Sequence, residues 1–206
     1  MKLSAPLAAY HRITQYGNYL DHLPRDAPEN ISATMIADAL EINDVVVRKD
    51  LACVSGAGKP KVGYQRTELA RAVARFLGRD SMSEAALVGA GKLGQALLGY
   101  ENFSKYGMRI ILAFDKDPQL IGKRAGGVEI FSAEKIAQMC SRLGVKIGVI
   151  TVPGHSAQSA CDALIAGGAR AVWNFAPVTL KVPEGVAVRN EDMAASLAIL
   201  IKQMGG

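Results

Sequence analysis

Cysteine is scarce in this 206-residue sequence: Cys53, Cys140 and Cys161, with no CxxC spacing. An odd, scattered set excludes a disulfide framework and a cysteine zinc site. Each lies among apolar neighbours in an expected helix, so all three read as small buried hydrophobes. Histidine is equally rare, with three residues and no HExxH or HxxxH pair, so no metal is expected. No apolar run approaches the roughly 20 residues that a membrane helix needs. The opening MKLSAPLAAYHR lacks the apolar block and cleavage site of a signal peptide. These absences predict a cytoplasmic protein with neither membrane nor metal among its partners.

What the chain does have is an uneven charge. Residues 1–47 carry three Lys/Arg and six Asp/Glu, whereas residues 48–79 carry eight Lys/Arg against Asp50 and Glu68, a net of +6. Such a concentrated basic segment attracts a phosphate backbone, because each neutralised phosphate releases counterions. On charge alone, a solvated basic surface stays equally open.

The first unit, residues 1–80, reads as a winged helix-turn-helix. Pro6 can open a helix carrying Leu7, Tyr10, Ile13 and Leu20, which stops before Pro24. Ser32 can cap ATMIADAL, and Asn43 or Asp44 can cap VVVRKDLACV across the turn Glu41–Asn43. The second helix of this pair turns Val47, Leu51 and Val54 inward and leaves Arg48 and Lys49 elsewhere. SGAGKPKVGYQR suits a β-hairpin wing bearing Lys59 and Lys61, extended at Val62 and Tyr64. The next helix, TELARAVARFLGR, sets Arg71, Arg75 and Arg79 in a basic stripe over buried Leu69, Val73, Phe76 and Leu77. A winged helix used only for protein contact remains open.

Residues 81–190 alternate strand and helix. The expected strands are AALVG, RIILAFD, VEIF, VKIGVITV, ARAVWNF and VAVRN; helices include LGQALLGYENFSK, AEKIAQMCSRL and AQSACDALIAGG. Short apolar strands between helices predict a Rossmann-type parallel sheet covered on both faces, hence an α/β fold. Gly89-Ala90-Gly91-Lys92-Leu93-Gly94 follows the first of these strands and opens a helix. In that position Gly89 permits the tight turn, Gly91 admits a pyrophosphate, and Gly94 packs helix on strand. A Walker A reading fails, since Leu93 stands where Ser/Thr is needed. Asp115 ends the next strand, where an acid binds the adenine ribose hydroxyls and repels a 2′-phosphate, favouring NAD(H) over NADP(H). Coenzyme A on the same scaffold stays open, as does a small oxidoreductase or CoA-binding enzyme subunit.

Only about 15 residues follow the last strand, too few for the substrate domain of a dehydrogenase. No acid/base partner stands out except His155, which reads as polar lining. The unit therefore reads as a nucleotide binder and not an enzyme. The tail, residues 191–206, reads as a capped helix whose Met193, Leu197, Leu200, Ile201 and Met204 share one face. That face must be buried, on its own domain or on a partner.

Taken in order, VRKDL at 47–51, VGY at 62–64, VGAGKLGQAL at 88–97, AFDKDPQLIG at 113–122, TVPGHSAQ at 151–158 and NFAPVTLKVP at 174–183 closely resemble the Rex family of redox-sensing repressors. The resemblance covers nearly the whole chain. It implies a homodimer, with the C-terminal helix swapped between subunits, that binds palindromic operator DNA and leaves it when NADH binds, NAD⁺ competing more weakly. It implies operator contacts at Arg48, Lys49, Lys59, Lys61 and Tyr64, with the caps Ser32 and Asn43 beside them. It also implies that Val152, Pro153, His155, Phe175 and Pro177 line the nicotinamide half of the pocket. By the same carry-over, Arg12, Tyr100 and Asp192 form a polar relay rearranged by the reduced nicotinamide. The sequence departs from the family pattern at Lys59-Pro60-Lys61 in the wing, at His155, and at Glu191, where an apolar residue is common.

Overall fold

The computed structural model describes residues 5–204; expectations resting on residues 1–4 and 205–206 lie outside that span. The chain divides after Ser81 into two compact units.

The first unit contains α1 (Leu7–Asp21), β1 (Asn30–Ile31), α2 (Ala33–Leu40), α3 (Asp44–Ser55), β2 (Tyr64–Gln65) and α4 (Arg66–Phe76). Helix α1 buries Ile13, Tyr16, Gly17 and Leu20, the spacing of one helical face. Ile36 and Ala37 of α2, Val47 and Leu51 of α3, and Leu69 and Val73 of α4 close the core around it. The Ser32 hydroxyl caps α2 by accepting from the Met35 amide, and the Asn43 side-chain Oδ1 caps α3 by accepting from the Val45 amide. Between them Glu41 turns the chain in the left-handed region, at φ 53°.

Three local expectations need correction. The wing is not a two-armed hairpin: Lys59 and Gly63 bridge each other around a tight turn that includes Val62, and Tyr64 pairs with β1. The reason is Gly63, at φ 85°, where a Cβ would come within 2.5 Å of the Ile31 carbonyl oxygen. The chain dives there under β1, which the sequence pattern did not reveal because the strand is two residues long. The basic stripe on α4 loses Arg79. The helix stops at Phe76, Gly78 takes φ 70°, and the Arg79 side chain folds back toward Asn18 and Asp21. Finally, Cys53 is exposed, because burying Val47 and Leu51 turns position 53 outward; Cys140 and Cys161 are buried as expected.

The second unit holds β3 (Ser83–Val88), α5 (Lys92–Leu98), β4 (Met108–Asp115), β5 (Arg124–Ala125), β6 (Val128–Ser132), α6 (Ile136–Leu143), β7 (Ile147–Ile150), α7 (Gly154–Ala166), β8 (Ala171–Asn174), β9 (Ala187–Asn190) and α8 (Met193–Met204). The sheet order is β5-β6-β4-β3-β7-β8-β9, parallel except for β5 against β6. Ala86 and Val88 of β3 pack into one layer with α6 and α7, while Ala85 and Leu87 pack into the opposite layer. Two covered faces explain why its last four residues are all apolar and buried. The expected helix 93–105 is interrupted. Helix α5 ends at Leu98, Tyr100 takes extended geometry, and Glu101–Tyr106 form a 3-10 turn.

Helix α8 does not dock its apolar side chains within the chain. Met193, Leu197, Leu200, Ile201 and Met204 are all more than half exposed, and so is Ile199 on another side. Of the two fates expected for this face, burial on its own domain is thereby overturned.

Candidate nucleotide pocket and nucleic-acid surface

From β3 the chain first builds the sheet outward through β4 and β6, then returns to β7 on the other side. Strand order reverses between β3 and β7, and ligands of open α/β sheets bind at the carboxyl ends of such a pair. A cavity of about 440 Å³ lies there, bordered by Gly89 and Gly91 after β3, Asp115 after β4, and Thr151, Val152 and Pro153 after β7.

The glycines explain its shape. Gly89 sits at φ 103°, with Thr151 only 2.8 Å from where a Cβ would be. At Gly94 a Cβ would lie 2.0 Å from the Gly89 carbonyl oxygen, so nothing larger fits between helix and loop. Gly91 has no atom within 4 Å of its would-be Cβ: its open side faces the cavity, as close approach by a pyrophosphate requires. No side chain caps α5. Ala90 is fully buried, Lys92 is exposed and Leu93 is half-buried; with Gly94 they shape the loop without bordering the cavity.

Asp115 ties this loop to the sheet. One carboxylate oxygen accepts from the Ala90 amide at 2.6 Å and the other from Asp117 at 2.9 Å. Each oxygen keeps a lone pair, so the group can hold the loop and still accept from a ribose hydroxyl. Sequence reasoning missed Thr151, whose hydroxyl donates to the Gly89 carbonyl at 2.6 Å and locks the loop from the β7 side. Its position at the end of the strand beside the switch point was the available signal. His155 and Pro177 are exposed, Phe175 is half-buried against Trp173, and none of the three borders the cavity.

In the first unit, Arg48 and Lys49 project from the outer face of α3, and Lys59 and Lys61 from the wing turn. Arg48 pairs with Asp44 at 2.7 Å across one helical turn; both are exposed, so the pair is weak and exchangeable. The side-chain oxygens of Ser32 and Asn43 are engaged in capping. Tyr64 is half-buried, its ring lying against Gly58 rather than projecting from the wing.

Each of the three expected relay residues has partners within its own unit. Arg12 makes a two-pronged ion pair with Asp50 of α3, at 2.7 and 2.9 Å, and the Tyr16 hydroxyl donates to the same carboxylate at 2.9 Å. Hydrogen bonding to Asp50 raises the Arg12 guanidinium above its ordinary range, outweighing burial. Burial first, then Asp50, pushes the Tyr16 phenol up. Tyr100 is half exposed and stacks edge-on to Phe103, and Asp192 caps α8 through the Ala195 amide at 2.8 Å. Asp50 escaped sequence reasoning because an acid in a basic helix looks like surface.

Comparison with known proteins agrees with this division. Residues 5–52 match the family described as a putative DNA-binding protein N-terminus, and residues 80–178 match the CoA binding domain family. The chain is 37% identical over 199 residues to the redox-sensing transcriptional repressor Rex of Porphyromonas gingivalis, covering 97% of this chain and 91% of that one. It is 38% identical over 195 residues to Rex of Clostridium beijerinckii, covering 95% and 92%. The crystal structure of RSP in complex with NAD⁺ and operator DNA superposes with a TM-score of 0.92 at 30% identity, over 98% of this chain and 94% of that one. RSP with NADH gives 0.87 over 98% and 95%. Its winged helix, its sheet order and this full-length likeness together make the chain a member of the Rex family of redox-sensing transcriptional repressors.

Proposed function

We propose that this protein represses transcription by binding palindromic operator DNA as a homodimer and releases it when NADH binds. The observation that carries the reading is that one chain couples two outward cations on a helix-turn-helix, Arg48 and Lys49, to a glycine-loop cavity at a sheet switch point. Relatives named as Rex, and a similar repressor solved separately with NAD⁺ plus operator and with NADH, support it.

In this reading α3 enters the major groove with Arg48 and Lys49, Ser32 and Asn43 stand beside the groove as caps, and Lys59, Lys61 and Tyr64 serve the wing. Gly89 to Gly94 cradle the pyrophosphate, Asp115 takes the adenine ribose, and Val152, Pro153, His155, Phe175 and Pro177 frame the nicotinamide. The bound nucleotide supplies one variable, the positive charge that nicotinamide loses on reduction. Arg12, Tyr100 and Asp192 are the polar groups whose preferred contacts that charge biases. The exposed apolar side of α8 is the dimer contact. Such a protein works in the cytoplasm; no described helix is long and apolar enough to cross a membrane, and no metal-binding cluster occurs among the described residues.

The likeness of residues 80–178 to CoA binding domains supplies a second ligand to test. Coenzyme A carries a phosphate on the adenine ribose, which the Asp115 carboxylate would oppose.

The deciding experiment selects a palindromic duplex from random sequence, then titrates NADH, NAD⁺ and coenzyme A against the complex. Tight binding lost to NADH but surviving NAD⁺ is the expected result. A duplex indifferent to all three removes the redox role, and failure to enrich any duplex removes DNA binding.

A further inference from the structure

Glu191 lies between β9 and Asp192, the cap of α8, and both its backbone and its side chain are tied to the neighbouring strand. Its amide donates to the Asn174 carbonyl at 2.8 Å. Its Oε1 accepts from the indole Nε1 of Trp173 at 3.1 Å and from Arg189 Nε at 3.0 Å. Asn174, fully buried, donates from Nδ2 to Asn190 Oδ1 at 2.9 Å and to the Val178 carbonyl at 2.9 Å. The loop after β8 and the end of β9 therefore share one hydrogen-bond network.

Trp173 is the single tryptophan of the chain, and three groups meet it. Its ring lies 4.6 Å from Phe175 and 5.7 Å, edge-on, from Phe103, which in turn lies 4.8 Å from Tyr100. The third is Glu191. One rigid side chain thus touches the loop assigned to the nicotinamide, the aromatic ladder that ends in Tyr100, and the carboxylate that precedes α8.

We propose that the Trp173–Glu191 hydrogen bond is a latch through which the loop at 174–178 sets the start of α8, making both residues positioning residues of the nucleotide response. This rests on the reading that NADH releases the protein from DNA. A half-buried indole N–H donating to a carboxylate is a charge-assisted bond that depends steeply on angle. Displacing Phe175 or Phe103 turns the indole plane and misaligns that bond. Glu191 then keeps only Arg189, an exposed partner of little strength. A small rotation at Asp192 is carried along the 12 residues of α8, about 18 Å, on which the uncovered apolar side chains sit.

The test uses the full-length protein and the variants Trp173→Phe, Glu191→Val and Glu191→Gln. For each, the operator Kd is measured with and without saturating NADH, and NADH affinity is measured by calorimetry. Trp173→Phe and Glu191→Val are expected to lower the ratio of the two operator constants about fivefold or more, with NADH affinity and nucleotide-free operator affinity within about twofold of wild type. Glu191→Gln keeps an acceptor and is expected to retain the wild-type ratio within about twofold. A wild-type ratio kept by both disruptive variants overturns the latch alone. Loss of operator or NADH affinity in both assigns the pair a merely structural role and also overturns it. A wild-type protein whose operator binding ignores NADH overturns the repressor reading itself, and the latch falls with it.

Discussion

A carboxylate such as Asp50, buried in a small helical core, is tolerated only because Arg12 grips it with two hydrogen bonds and Tyr16 adds a third. Removing one partner leaves the charge uncompensated, so Arg12→Ala is expected to destabilise the first unit by about 3 kcal/mol. Hydrogen exchange of the α1 and α3 amides in the intact chain measures this; a change below about 0.5 kcal/mol would class the pair with surface ion pairs. The cysteines give a second check on side-chain placement. Burial pushes the Cys140 thiol up to about 11, and Cys161 shifts upward for the same reason, so both hold their protons at neutral pH. The Cys140 contribution to stability is complete below the ordinary thiol range and is lost as pH rises through about 11. A maleimide is therefore expected to label Cys53 alone in the native protein, and bound operator should slow that labelling because Cys53 shares α3 with Arg48 and Lys49. Rapid modification of all three would contradict the packing.

At the scale of the element, α2 and α3 show how far pattern reaches. Both caps and the three-residue turn were legible, because capping needs a particular side chain at a particular place. The left-handed residue of that turn is Glu41, not glycine. Glu41→Gly relieves its Cβ and is expected to stabilise the protein by about 1 kcal/mol, read as a higher midpoint in urea. An unchanged or lower midpoint would show that gained freedom of the unfolded chain cancels the relief. Replacing Arg48 and Lys49 together by Ala should abolish operator binding, leave NADH affinity unchanged, and flatten the salt dependence of any residual binding. Retained operator affinity would remove α3 from the interface. The wing was less legible, because its geometry depends on a close approach between Gly63 and β1, 32 residues earlier in the chain. Cys53 and Arg79 were misplaced for related reasons: one follows the exact rotation of α3, the other the point at which α4 stops.

For the whole molecule the largest unsatisfied feature is α8. A helix with six large apolar side chains more than half exposed is an interaction surface rather than a stable solvent face. Leu197→Glu combined with Leu200→Glu is expected to convert a dimer to a monomer in sedimentation and to lower thermal stability by removing its dependence on protein concentration. A wild-type protein that sediments as a monomer would overturn that use of the helix. Half of the operator code depends on the same surface, since a palindrome is read by two copies.

The sequence by itself determined the two-part organisation, the glycine loop with its acid, and the family, because each is written in local order: strand then loop then helix, or cap then turn then cap. It also determined that α8 needs burial, since an apolar face is a compositional property. Only the tertiary structure decided that the chain does not cover α8, that Arg12 serves a carboxylate on α3, and that Thr151, Trp173 and Glu191 reach the loops they hold. Those contacts join residues that lie 18 to 62 positions apart and meet only through strand order and packing, which local pattern does not encode.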